Sequence, residues 1–206
     1  MFVYAPECLN GLRTLADRYG IVLIFDEIAT GLGRTGPTFA GDWAGVIPDT
    51  LCVGKALTGG YLSLAAMLCT SAVAHGLRRG QTSALLHGPT FMANPLACAV
   101  ALASLTLLRA TVEDAVPRIE NALSHALLPA ADVSSVVDVR VLGAVGVIEL
   151  DRPVDVAAVT AAAVDRGVWL RPFRNLVYTM PPYVCTDTEV RTIATAMTNV
   201  VAQVHG

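Results

Sequence analysis

Charge is scarce in this sequence. Asp, Glu, Lys and Arg together make up 15% of its 206 residues, and the formal net charge is −3. There is no basic tract, so neither nucleic acid nor an anionic membrane is expected as a partner. The five cysteines (Cys8, Cys52, Cys69, Cys98 and Cys185) are scattered, and none forms a C-x-x-C pair. That pattern argues against a disulfide framework or a zinc site and favours a reducing, cytoplasmic compartment. His75, His87, His125 and His205 show no metal-ligand spacing, so no metal is expected. No P-loop, internal repeat or Ser-His-Asp set is visible. The opening MFVYAPECLNG lacks the charged head and apolar stretch of a signal peptide.

Apolar residues, by contrast, reach 54%. A surface that apolar is unusual for a lone domain, so burial against further polypeptide is expected. The stretch from Gly88 to Leu108 contains no charge, but Asn94, Pro95, Ser104 and several alanines dilute it. It reads as a buried interface helix rather than a membrane span.

Hydrophobic spacing predicts a helix over 7–19 and strands over 21–25, 51–53 and 64–70, with a helix from Ser71 to Arg79. Residues 29–48 are rich in Gly, Thr and Pro and read as a long functional loop. Asn94 should cap a helix running to about Arg109, with Pro95 in its first turn. A second helix is expected over 112–128, with Pro117 marking a kink or a late start. Beyond it come strands 136–142 and 145–150 about Gly143, a helix 155–166 ended by Gly167, strands 168–170 and 176–180, and a helix opened by Asp187. The fold class is α/β, with one domain over 1–110 and a smaller one over 111–206.

Two charged residues close apolar strands. Asp26 follows Ile21–Phe25, and Lys55 follows Leu51–Gly54. Ligands in open α/β sheets bind beyond the carboxyl ends of strands. A carboxylate and a buried amine at such an edge suit pyridoxal phosphate: the lysine forms a Schiff base, and the acid holds the pyridine nitrogen protonated. Burial lowers a lysine pKa, which favours the free amine that this chemistry needs.

Asp26-Glu27-Ile28, Gly31, Arg34, Gly36, Asp49, Gly54-Lys55 and Gly59-Gly60 together resemble the signature of class III pyridoxal-phosphate aminotransferases. Thr50 departs slightly from it, since that slot is usually aliphatic. The stretches His87–Ala99 and Arg171–Tyr183 resemble the biotin-pathway branch of the class. The resemblance implies a fold-type-I transferase, with the C-terminal part of the large mixed-sheet domain followed by a small α/β domain. It implies transfer of an amino group from S-adenosylmethionine to 8-amino-7-oxononanoate, giving 7,8-diaminononanoate, in a homodimer. Lys55 and Asp26 are then catalytic and hold the cofactor. Thr90, with Pro89, reaches the phosphate of a neighbouring subunit's cofactor. Gly88 is a substrate-side backbone contact, Arg171 takes the substrate carboxylate, and Arg34 lies near the active site. Glu27 is read as structural. Members of the class are about twice as long, so the chain is expected to be inactive alone. The alternatives are another class III enzyme of ω-amino acid or acetylornithine type, or a non-catalytic fragment.

Overall fold

The computed structural model describes residues 1–206, which form two compact units, Tyr4–Ala110 and Met1–Val3 with Thr111–Gly206. The first opens with α1 (Pro6–Tyr19), which has proline in its first turn and ends at Gly20, where φ is 63°. Only glycine takes that left-handed conformation without cost. Strand β1 (Ile24–Asp26) pairs in parallel with β2 (Thr50–Val53), and β3 (Ala66–Cys69) pairs antiparallel on the far side of β2.

Strand β1 begins three residues later than its apolar run suggests. The Ile21 N–H bonds back to Ala16 O, and Leu23 gives its N–H to Asp49 Oδ2 at 2.8 Å and its carbonyl to the N–H groups of Asp49 and Thr50. The helix cap and an aspartate therefore consume groups that a ladder would need. Nor is β1 buried as expected: Ile24 is 59% exposed, because the sheet face to which it points is uncovered.

Thr70, not Ser71, caps α2 (Ser71–Arg78) by accepting from the Val73 N–H. Asn94 Oδ1 accepts from the Ala97 N–H at 2.9 Å at the start of α3. The two helices expected over 94–128 form one continuous helix, α3 (Pro95–Leu127). Ala110-Thr111 offers no breaker, and Pro117 removes only one i→i−4 bond from a helix otherwise held by packing. By length and composition this helix could cross a membrane. In the first unit Ala101, with Leu105 beside it, packs against Val53 and Leu57. Leu96, Leu102 and Leu107 face outward, so this half of α3 is covered on one face only.

The second unit is an antiparallel sheet in the order β4 (Val136–Leu142), β5 (Val145–Leu150), β6 (Leu176–Thr179). Gly143, at φ 53°, turns β4 into β5 and donates its N–H to Glu120 Oε1 at 2.9 Å. The core gathers Ile119, Leu123 and Leu127 from α3, Ile148 and Leu150 from β5, and Met197 from the last helix. Each such side chain contributes about 1.5–3 kcal/mol on leaving water. Asp155 caps α4 (Val156–Val164), and Thr186 with Glu189 forms a capping box on α5 (Asp187–His205). The strand expected over 168–170 does not form. The Val168 N–H is taken by Ala163 O, and pairing in this stretch is limited to a bridge between Phe173 and Leu176.

Candidate active site

Asp26 and Lys55 stand at the carboxyl ends of neighbouring parallel strands. Asp26 is paired in register with Cys52, and the Glu27 N–H continues the ladder to Cys52 O at 2.9 Å. One carboxylate oxygen of Asp26 accepts the Ile28 N–H at 3.1 Å, and the side chain is exposed. Its other oxygen makes no hydrogen bond within the chain.

Lys55 begins a short 3-10 turn, Lys55–Leu57, immediately beyond β2. Its φ is +43°, an uncommon value for a residue with a Cβ. The turn is closed by Leu57 N–H to Gly54 O at 2.9 Å and Thr58 N–H to Lys55 O at 3.2 Å. From α3, Ser104 Oγ donates to Ala56 O at 2.9 Å and ties the turn to the helix. Backbone strain held in place by such ties is common at functional positions. The expectation of a buried amine is not met. Lys55 is exposed, because the strand ends and the chain turns outward before the side chain can pack.

Residues 29–48 leave β1 as a loop that includes a 3-10 turn, Ala40–Ala44, and return to β2. Asp49 closes this excursion. Its carboxylate accepts from Leu23 N–H and from Arg13 Nη1 at 2.9 Å. The backbone N–H first, and then the guanidinium, hold Asp49 below the usual carboxylate pKa. Arg34 lies half-buried on this loop.

Gly88, Pro89 and Thr90 lie in an exposed stretch ahead of α3, where Pro89 O accepts from the Met92 N–H at 3.0 Å. Arg171 belongs to the second unit, is exposed, and makes no ion pair or hydrogen bond within it. The turn after it is rigidly held. Asn175 Nδ2 donates to Glu149 Oε1 at 3.1 Å and to Leu150 O at 3.0 Å, and Arg140 Nη1 pairs with Glu149 at 2.7 Å. Arg140 first, then Asn175, lower the Glu149 pKa. No cluster of His, Cys, Asp or Glu has the grouping of a metal site. The structure thus places Asp26 and Lys55 at the carboxyl ends of adjacent parallel strands and Arg34 on the loop leaving β1, and leaves Gly88–Thr90 on a separate stretch. Ser104 ties this carboxyl edge to α3, while Asp49 ties together the opposite, amino ends of β1 and β2. Ser104 was readable only as a lone polar residue on an apolar helix face.

Residues 1–201 match the family described as aminotransferase class-III. The chain belongs to that family.

This class III chain is 56% identical over 201 residues to the adenosylmethionine-8-amino-7-oxononanoate aminotransferase of Mycobacterium leprae, a match covering 97% of the chain and 46% of that protein. It is 51% identical over 191 residues to the Corynebacterium glutamicum protein of the same name, covering 92% of the chain and 45% of the relative. The chain therefore spans about half the length of the curated relatives it matches. Among solved structures, an amine transaminase from an uncultivated Pseudomonas species in its PLP-bound form superposes with a TM-score of 0.89 at 30% identity, over 97% of this chain and 48% of that one. Ornithine delta-aminotransferase from Plasmodium falciparum gives 0.86 at 27% identity, over 99% and 52%. The class III chain has the fold-type-I architecture that the resemblance implied.

Proposed function

We propose that this chain supplies part of the active site of a pyridoxal-phosphate aminotransferase that moves an amino group from S-adenosylmethionine to 8-amino-7-oxononanoate, giving 7,8-diaminononanoate. The observation that carries the reading is the placement of Asp26 and Lys55 at adjacent parallel strand ends, in a chain 56% identical to an enzyme of that name. The residues suit the cofactor. Lys55 offers an amine with no partner in the chain, and Asp26 keeps one carboxylate oxygen without a donor. When bound, the cofactor supplies the electron sink that stabilises negative charge on the substrate carbon.

The chain's own residues do the rest. Lys55 anchors the cofactor and moves the proton at the substrate's reacting carbon. Asp26 would hold the ring nitrogen protonated through a charge-assisted hydrogen bond. Thr90, with Pro89 beside it, would receive the phosphate of a neighbouring subunit's cofactor in a homodimer, and Gly88 would contact substrate through its backbone. Arg171 presents a planar fork that grips the substrate carboxylate in two hydrogen bonds, and Arg34 lies near the active site. The cytoplasm is the compartment that suits five free cysteines. An ornithine- or amine-type activity is the second reading. It draws on structural neighbours at 27–30% identity, and the 56% relative outweighs it.

The test is pyridoxal-phosphate binding to the purified chain, followed by visible absorbance, with Lys55→Ala as control. A band present in the parent and absent from the variant is expected. An identical band in both would remove Lys55 from its assigned role.

A further inference from the structure

Glu27 is a buried acid, 3% exposed, one residue beyond Asp26. Three donors converge on its two oxygens. Oε2 accepts from Thr30 Oγ1 at 2.8 Å and from the Ala40 N–H at 3.0 Å, and Oε1 accepts from the Gly41 N–H at 3.1 Å. Its backbone is fixed as well, by Glu27 N–H to Cys52 O at 2.9 Å and Gly31 N–H to Glu27 O at 3.0 Å.

The loop is shaped to reach this carboxylate. A Cβ on Gly31 would stand 2.8 Å from Glu27 O, and one on Gly41 would stand 2.9 Å from Phe25 Cε2. Both approaches need glycine. Thr30 lies at the start of the excursion, and Ala40 and Gly41 lie at its return. Between them Leu32, Gly33 and Gly36 take φ values of 60°, 96° and 118°, and Gly33 N–H reaches Thr38 O at 3.1 Å. The segment 31–39, which carries Arg34, is therefore closed at its base by one side chain.

We propose that Glu27 is a positioning residue, the clamp that fixes the 31–39 loop on the end of β1 and thereby sets where Arg34 stands relative to Asp26. Its bearing on substrate rests on the function proposed above; the clamp does not. A carboxylate is needed because all three partners donate. Glutamine offers one oxygen, and its amide N–H groups would face a donor. Losing one bond to a charged acceptor speeds local opening on the order of 10- to 100-fold.

The test is hydrogen exchange on the full chain carrying Glu27→Gln, together with modification of Arg34 by phenylglyoxal read by mass spectrometry. The Ala40 and Gly41 amides should exchange about 10- to 100-fold faster. Amides of β4 and β5 should be unchanged, and Arg34 should be modified faster. 8-Amino-7-oxononanoate should slow that modification in the parent and protect the variant less. Faster local exchange without any protection in the parent would leave the clamp standing and remove the substrate reading. Unchanged exchange and modification in the folded variant, or uniform acceleration across both units, would overturn the clamp. If Glu27→Gln does not fold, Thr30→Val removes a single donor. It should speed Ala40 exchange to a smaller extent, and no change there overturns the proposal.

Discussion

Alanine at position 41 should destabilise the unit that carries Asp26 and Lys55. Gly41 does not use the left-handed region, so backbone preference alone favours the change. Restricting the unfolded chain would contribute about 0.4–1 kcal/mol of stability. Packing opposes this more strongly. The new methyl would lie 2.9 Å from Phe25 Cε2 and 3.0 Å from Val46 O, and the second of these is backbone. Overpacking of this kind costs about 1–3 kcal/mol. Moving the turn to relieve it pulls the Gly41 N–H from Glu27, a bond to a charged group worth about 1.5–3 kcal/mol, only part of which is lost. The net expectation is a loss of about 2 kcal/mol. Gly11→Ala is the control. It lies within α1 with nothing inside 4 Å of its added Cβ, and should gain about 0.5–1 kcal/mol. The assay is urea unfolding followed by Trp43 fluorescence in a Trp169→Phe background. Trp43 suits the purpose because it sits in the same 3-10 turn and donates Nε1–H to Thr35 O at 3.1 Å. A Gly41→Ala chain as stable as its parent, beside a stabilised Gly11→Ala, would refute the packing argument.

Two further outcomes follow from local electrostatics and capping. The folded state lowers the Asp49 pKa, so the stability it contributes is complete above the ordinary aspartate value and is lost as pH falls through the lower folded value. The Trp43-reported urea midpoint should drop with acidification through that window, and Asp49→Asn should flatten the dependence; an unaltered slope would exclude Asp49 as its source. Thr186→Ala breaks the reciprocal Thr186–Glu189 cap of α5 and should cost about 0.5–2 kcal/mol, measured by chemical unfolding of the second unit, with no loss counting against the cap.

Much of the fold was legible because its signals are local. The Gly20 stop of α1, the Asn94 cap and the Gly143 turn all follow from single residues with few alternatives. The strand ends bearing Asp26 and Lys55 were readable because a charge closing an apolar run marks where a strand leaves its sheet. What failed depended on partners distant in sequence. The Ile21–Leu23 segment looks like strand, but Ala16 and Asp49 claim its polar groups. Helix α3 looked like two helices because the composition changes after residue 110, but a change of composition is not a breaker; nor does Pro117 interrupt it, since packing of Ile119 and Leu123 holds the helix through it. Residues 168–170 lost their strand to a helix-cap bond. Burial of Lys55 was inferred from apolar neighbours in sequence, but exposure is set by neighbours in space.

The open flank of β1 and the uncovered leucines of α3 bear on how the chain behaves in solution. A strand edge with free N–H and C=O groups next to apolar surface is a template for adhesion. Self-association raises apparent stability by mass action, so the chain should melt at a temperature that climbs with its own concentration. A single unfolding temperature will therefore not describe it.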